Sequence, residues 1–157
     1  MKTLVLALVL GGICLAQPQE PKPGERAFYR VDFVVKESEG GKQISARTYS
    51  SMMAVGGKSA IRTGDKVQVP TNQPGQFSFS DVSIQIDSWL QRAEPAKVEL
   101  RVIGTANGYP SPDGSSTYYR WESEAIVPLR KPTIIFLSDA VSTKRQAQLE
   151  VTVTPVQ

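Results

Sequence analysis

Glu122 and Glu124 are the first residues to weigh for chemistry. Two carboxylates one strand period apart share a face at about 7 Å, a spacing that an acid and base pair flanking a glycosidic bond can use. Alternate charges along a strand are, however, more often its wet face, and little else in the chain supports a reaction. The sequence contains no histidine, the side chain that most often serves as general base near neutral pH. Its one cysteine, Cys14, lies inside an N-terminal apolar run. Serines are plentiful, yet no G-x-S-x-G or S-x-x-K arrangement occurs to activate one. Gly57-Lys58-Ser59 has the ending of a phosphate-binding loop, but Met52 stands where its first glycine belongs and the AIRTG that follows is no helix. Asp113-Gly114 lacks the further oxygen ligands of a calcium loop. No catalytic, metal-binding or cofactor-binding residue is assigned, and no cofactor is expected.

Binding surfaces are a different matter. Trp89 follows Ser83, Gln85 and Asp87 on one side of an alternating segment, and an aromatic on a polar face points to a protein contact. Tyr109 and Tyr118 flank a loop and could receive a glycan or peptide, whereas Tyr119 and Trp121 fall in the inward phase of the next strand and read as core. The candidate interaction surface is therefore Trp89, Asp87, Gln85, Tyr109 and Tyr118.

These side chains need elements to position them, and the chain announces its compartment before its fold. Lys2 followed by the apolar run Leu4 to Leu15 and closed by Ala16 has the layout of a secretory signal peptide, cut between Ala16 and Gln17. The run falls short of the ~20 apolar residues that cross a hydrocarbon core, so no transmembrane segment is expected in the mature chain. Lipidation at Cys14 is the competing reading, and Ile13 before it, where a small residue is usual, speaks against it. The mature chain then carries no cysteine and must be held by packing and strand pairing alone, as suits an exported protein of the periplasm or outer membrane. A formal net charge of +3 with dispersed Lys and Arg gives no nucleic-acid footprint.

Residues 17–25, with prolines at 18, 21 and 23, read as an extended tether, and 26–157 as one domain. From Phe28 the apolar spacing is predominantly two. Tyr29, Val31, Phe33 and Val35 face one way; Gly40-Gly41 turns the chain into a return strand over Ile44 to Val55. Gly56-Gly57 precedes Ser59 to Arg62, and Gly64-Asp65 predicts another turn into Lys66 to Val69. Phe77 and Phe79 fall on odd positions but Val82, Ile84, Ile86 and Leu90 on even ones, which predicts a bulge or break near Asp81. Val98 to Val102, Tyr119 to Val127 and Ala147 to Val153 alternate, and Thr133 to Leu137 predicts a strand covered on both faces. No helical period is convincing. The expectation is an all-β, single-domain β-sandwich of about seven to nine mostly antiparallel short strands.

The stretch from Ser59 to Pro70 (SAIRTGDKVQVP) resembles the strand, Gly turn and Pro-terminated strand of the secretin domain of bacterial secretion and type IV pilus outer-membrane channels. Asp81 to Ile86, Val98 to Val102, Arg120 to Val127, Lys131 to Ile135 and Leu149 to Pro155 resemble that domain's later strands in the same order, so the likeness runs from about Met52 to Gln157. It implies a minimal secretin-like β module with a structural or protein-interaction role in the envelope, its partner another envelope protein or a further copy of itself.

Overall fold

The computed structural model describes residues 27–71, 75–108, 110, 116–140 and 144–156. The expected leader, its cleavage after Ala16, Cys14 and the tether lie outside the described residues, as does Tyr109. Eight strands follow in order: β1 (Phe28–Glu39), β2 (Lys42–Ala54), β3 (Lys58–Pro70), β4 (Phe77–Glu94), β5 (Lys97–Asn107), β6 (Tyr118–Pro128), β7 (Thr133–Ala140) and β8 (Arg145–Val156). They form two four-stranded sheets, β2-β1-β8-β7 and β3-β4-β5-β6, in which every strand pairing is antiparallel. Among the described residues there is no helix, and so none long and apolar enough to cross a membrane. The all-β sandwich read from the sequence is the architecture found, though its strands run from 8 to 18 residues and several are longer than expected.

The alternation builds the core directly. Val31, Phe33 and Val35 of β1, Leu149, Val151 and Val153 of β8, Ile84, Ile86 and Leu90 of β4 and Val98, Leu100 and Val102 of β5 are all buried in one cluster between the sheets. Each such side chain contributes roughly 1.5–3 kcal/mol when fully removed from water. Gly40 and Gly41 both take positive φ, 57° and 81°, as a two-residue hairpin between Glu39 and Lys42 requires. The chain changes sheet at Gly56-Gly57 and again between β6 and β7, so the edge strands β2 and β3 lie on one flank of the sandwich and β6 and β7 on the other.

Three local expectations are corrected. Gly64-Asp65 is no turn: β3 pairs with β4 without interruption from Lys58↔Trp89 to Pro70↔Phe77. Turn residues only permit a reversal, and the continuous ladder offered by β4 outweighs them. No bulge occurs at Asp81 either. Phe77 and Phe79, 57% and 70% exposed, simply project from the outer face, because β5 joins β4 only from Ile84 and the segment before it is a two-stranded ribbon. The irregularity of β4 lies between Leu90 and Arg92, where Gln91 is the extra residue. Finally, β7 is not covered on both faces. It is an edge strand with Ile134 and Leu137 56% and 61% exposed, and a register shift between Ile134 and Phe136 turns both Ile135 and Phe136 towards the core. Two consecutive inward residues are what made the run look continuously apolar.

One end of the sandwich is sealed by charge rather than by apolar packing. Glu37 of β1 is buried and accepts a hydrogen bond from Nη2 of Arg47 at 2.9 Å, while buried Arg145 of β8 reaches Glu39 at 3.4 Å. The base of the β5–β6 connection packs against this cluster: a Cβ at Gly108 would lie 2.7 Å from Glu37 Oε2. Burial and the Glu37 charge push the Tyr119 hydroxyl up from its ordinary value, against the opposing effects of Thr117 and Arg145. Folded protein therefore holds this proton more tightly than the unfolded chain. Stability contributed by Tyr119 should be complete below pH 10.0, the ordinary tyrosine value, and decline as pH rises through the higher folded value. Urea midpoints measured on either side of that pH should fall with pH, and Tyr119→Phe should flatten the decline.

Candidate functional site

The outer face of the β3-β4-β5-β6 sheet collects most of the residues singled out for interaction. Cross-strand pairing sets its rows: Lys58, Trp89, Arg101 and Glu124 form one, and Ala60, Asp87, Ile103 and Glu122 the next. Arg62, Gln85, Thr105 and Arg120 follow. Tyr118 stands beside Asn107, whose side-chain amide donates to Ser83 Oγ at 3.2 Å. Trp89, Asp87, Gln85 and Tyr118 thus share one face, with Gln85 and Tyr118 exposed and Trp89 and Asp87 half-buried. Tyr119 and Trp121 point the other way into the core, where the Trp121 ring meets Phe136 of the opposite sheet at 5.4 Å.

Ion pairs stitch this face across its strands. Arg62 Nη2 donates to both oxygens of Asp87 at 2.7 and 2.8 Å, joining β3 to β4. Arg101 Nη2 donates to Glu122 Oε1 at 2.5 Å and its Nε lies 3.7 Å from Glu124 Oε1, joining β5 to β6. The same guanidinium stands 5.8 Å from the centre of the Trp89 ring, within cation–π range. The hydrogen bond and charge of Glu122 hold Arg101 further towards its cationic form. Glu122 and Glu124 are consequently the two arms of one ion-pair network on an open sheet face, with a cation between them where a glycosidase would place its substrate. Lys58 and Ser59 open strand β3, and Gly57 just before it donates its amide to the Ala54 carbonyl at 2.9 Å, so this stretch is turn and strand rather than a phosphate cradle at a helix start. Among the described residues no group of three or more Asp, Glu, His or Cys is gathered as metal ligands.

Sequence reasoning missed Arg101 as the hub. Its place opposite the inward Leu100 and Val102 could have been read from alternation, but its meeting with Trp89 and both glutamates depends on register across three strands. The Gln91 bulge contributes as well. It borders a cavity of about 180 Å³ lined by Gly56, Trp89, Leu90, Gln91 and Arg101.

No family model and no curated protein sequence matches the chain. Among solved structures it is similar to the type II secretion system secretin GspD of E. coli K12, determined by cryo-EM, at 9% identity and a TM-score of 0.54 over 84% of this chain and 51% of that one. The secretin InvG of the Salmonella SPI-1 type III secretion injectisome is a second neighbour, at 8% identity and a TM-score of 0.44, covering 83% and 63%. The likeness to GspD is one of fold, and the chain spans about half the length of that protein. The resemblance read in the sequence thus has its counterpart in the architecture: the chain has a secretin-like fold.

Proposed function

We propose that the chain is an exported, non-enzymatic module of the bacterial envelope, related to secretion or pilus channels, which works by joining strand edges with further copies of itself or with another envelope protein. The observation that carries this reading is that each sheet contains four strands of alternating direction. A free edge offers unpaired N–H and C=O groups to an incoming strand. Because the strand count is even, the two edges of a sheet run in opposite senses, so the edge of one copy meets the opposite edge of the next as an antiparallel pair. The signal-like run from Leu4 to Leu15 supports export, and the fold shared with a type II secretion system secretin supports an envelope setting.

Light scattering after size exclusion, on the protein purified after export, tests the proposal. The expected result is concentration-dependent assembly, or a stable complex with an envelope protein recovered by crosslinking in cells. A strict monomer at every concentration, with no crosslinked partner, overturns it.

A further inference from the structure

The cavity of about 180 Å³ beside Trp89 has walls of two unlike kinds. Leu90 turns its side chain into the core, where it is fully buried, so it borders the cavity with its backbone alone. That backbone is already paired: Gly56 N–H donates to the Leu90 carbonyl at 2.7 Å, and Leu90 N–H to the Gly57 carbonyl at 3.2 Å. Gly56, at φ 76°, adds no side chain, and a Cβ there would meet nothing within 4 Å. The Trp89 ring is therefore the one apolar side chain lining the space, with Gln91 and Arg101 as its polar walls. Gln91 is the extra residue of the bulge and is exposed. Among the described residues Arg101 makes a single hydrogen bond, from Nη2 to Glu122, so donors of its five-donor guanidinium remain. Lys58, beside Trp89 on β3, is exposed and forms no salt bridge among the described residues.

We infer that this cavity is a subsite for one pyranose residue of an uncharged glycan, whose C–H face lies on the Trp89 ring and whose hydroxyls bond Gln91, Arg101 and Lys58. A sugar ring is apolar on one face and hydroxylated around its rim, and a single aromatic surface bordered by donors and acceptors is its complement. An apolar peptide side chain is served poorly, since one flat ring cannot enclose it. An extended peptide finds no unpaired strand, because β4 lies between β3 and β5 and Leu90 is already bonded. Charge in the rows around the cavity cancels: Lys58, Arg92 and Arg101 stand against Glu99, Glu122 and Glu124, and Asp87 is held by Arg62. A neutral ligand is what that balance favours. The volume, below the roughly 300–1,000 Å³ that encloses a drug-sized molecule, suits one ring rather than a chain. This site goes beyond the edge joining proposed above and is independent of it, since it uses a face and not an edge.

The test is NMR of the protein purified after export, because the chain has two tryptophans whose indole N–H signals report separately. The probes are the trimer of N-acetylglucosamine, maltotriose and cellotriose, each titrated to about 10 mM, well above the ~1 mM dissociation constant expected of a one-ring subsite. At least one should shift the Trp89 signal saturably and leave that of Trp121, 5% exposed in the core, in place. Trp89→Ala should weaken binding at least ~10-fold, and Gln91→Ala ~3-fold. Trp89→Leu keeps an apolar cover over the sheet and should lose as much binding as Trp89→Ala, which guards against a variant that fails to fold. Tyr118→Ala, on the same face but outside the cavity, should bind as the wild type does. The absence of a saturable shift with all three probes, or unchanged affinity in folded Trp89→Leu, overturns the inference. An equal loss in Tyr118→Ala, or tighter binding of trigalacturonic acid or tri-alanine than of the neutral sugars, overturns it as well. Neither result bears on light scattering, so failure here leaves the proposed function standing, and a strict monomer there leaves the subsite standing.

Discussion

Gly104→Ala should destabilise the domain by about 2–3 kcal/mol, the opposite of what the same exchange does in an unobstructed strand. Alanine ordinarily improves a strand or helix interior by roughly 0.5–1 kcal/mol, because glycine loses more backbone freedom on folding. Here a Cβ would lie 2.5 Å from the Gln85 carbonyl oxygen and 2.5 Å from Cζ2 of Trp121, well inside van der Waals contact on two sides. Neither wall yields easily. The Gln85 carbonyl belongs to β4 within the β4–β5 ladder, and the Trp121 ring, directly across from Gly104 on β6, is backed by Phe136. For a domain of this size each kcal/mol lowers Tm by roughly 2–4 °C, so a fall of several degrees with an unchanged denaturant slope is expected. Trp121→Leu in the Gly104→Ala background should recover part of the loss by vacating the space the new methyl needs. A Gly104→Ala protein that melts with the wild type would show that the close approach between strand and ring is not what glycine is there to permit.

That position also marks the boundary of what a linear reading reaches. In β1, β5 and β8 a single buried face forces a period of two, so Phe33, Leu100 and Leu149 declared their orientation and the sandwich followed. The polar face bearing Gln85, Asp87 and Trp89 was legible for the same reason. Legibility failed where orientation is not set by a core. Thr63 to Lys66 are exposed on both faces, so Gly64-Asp65 looked like a turn, and Phe77 and Phe79 sit on a ribbon that extends beyond β5. A bulge at Ile135 put two successive side chains inward and disguised an edge strand as a central one. What no local pattern carries is partnership at long range: Arg101 with Trp89 and the two glutamates, or Gly104 with Trp121, exists only once register is fixed. Glu37 belongs to the same class, since it occupies the inward phase of β1 just where the apolar residues stop.

Glu37→Leu should be the most damaging single change among the charged residues, costing about 3–5 kcal/mol, the range for breaking one side of a buried ion pair. Glu37 is 1% exposed, and its Oε1 receives the Arg47 guanidinium at 2.9 Å in a side chain that is itself mostly shielded. Leucine would fill the volume but leave the Arg47 cation without that carboxylate, next to buried Arg145, which adds a second positive charge at the same end of the sandwich. Desolvating charge is unfavourable, and the pair persists because each member offsets the cost of the other. Glu37→Gln separates charge from shape. It keeps an acceptor near Arg47 and the close fit against Gly108, so its cost should be smaller, about 1–3 kcal/mol. It should also change how stability depends on pH. The Glu37 charge is one of the two causes that push the Tyr119 hydroxyl up, and burial, the larger, remains. The folded and unfolded values of Tyr119 then lie closer together, so the loss of stability above pH 10.0 should shrink in Glu37→Gln without vanishing. Urea titrations of wild type, Glu37→Gln and Glu37→Leu at neutral and alkaline pH separate the contributions. Equal stability of Glu37→Leu and wild type at neutral pH would mean that the end of the sandwich is held by packing alone, and that its buried charges merely cancel.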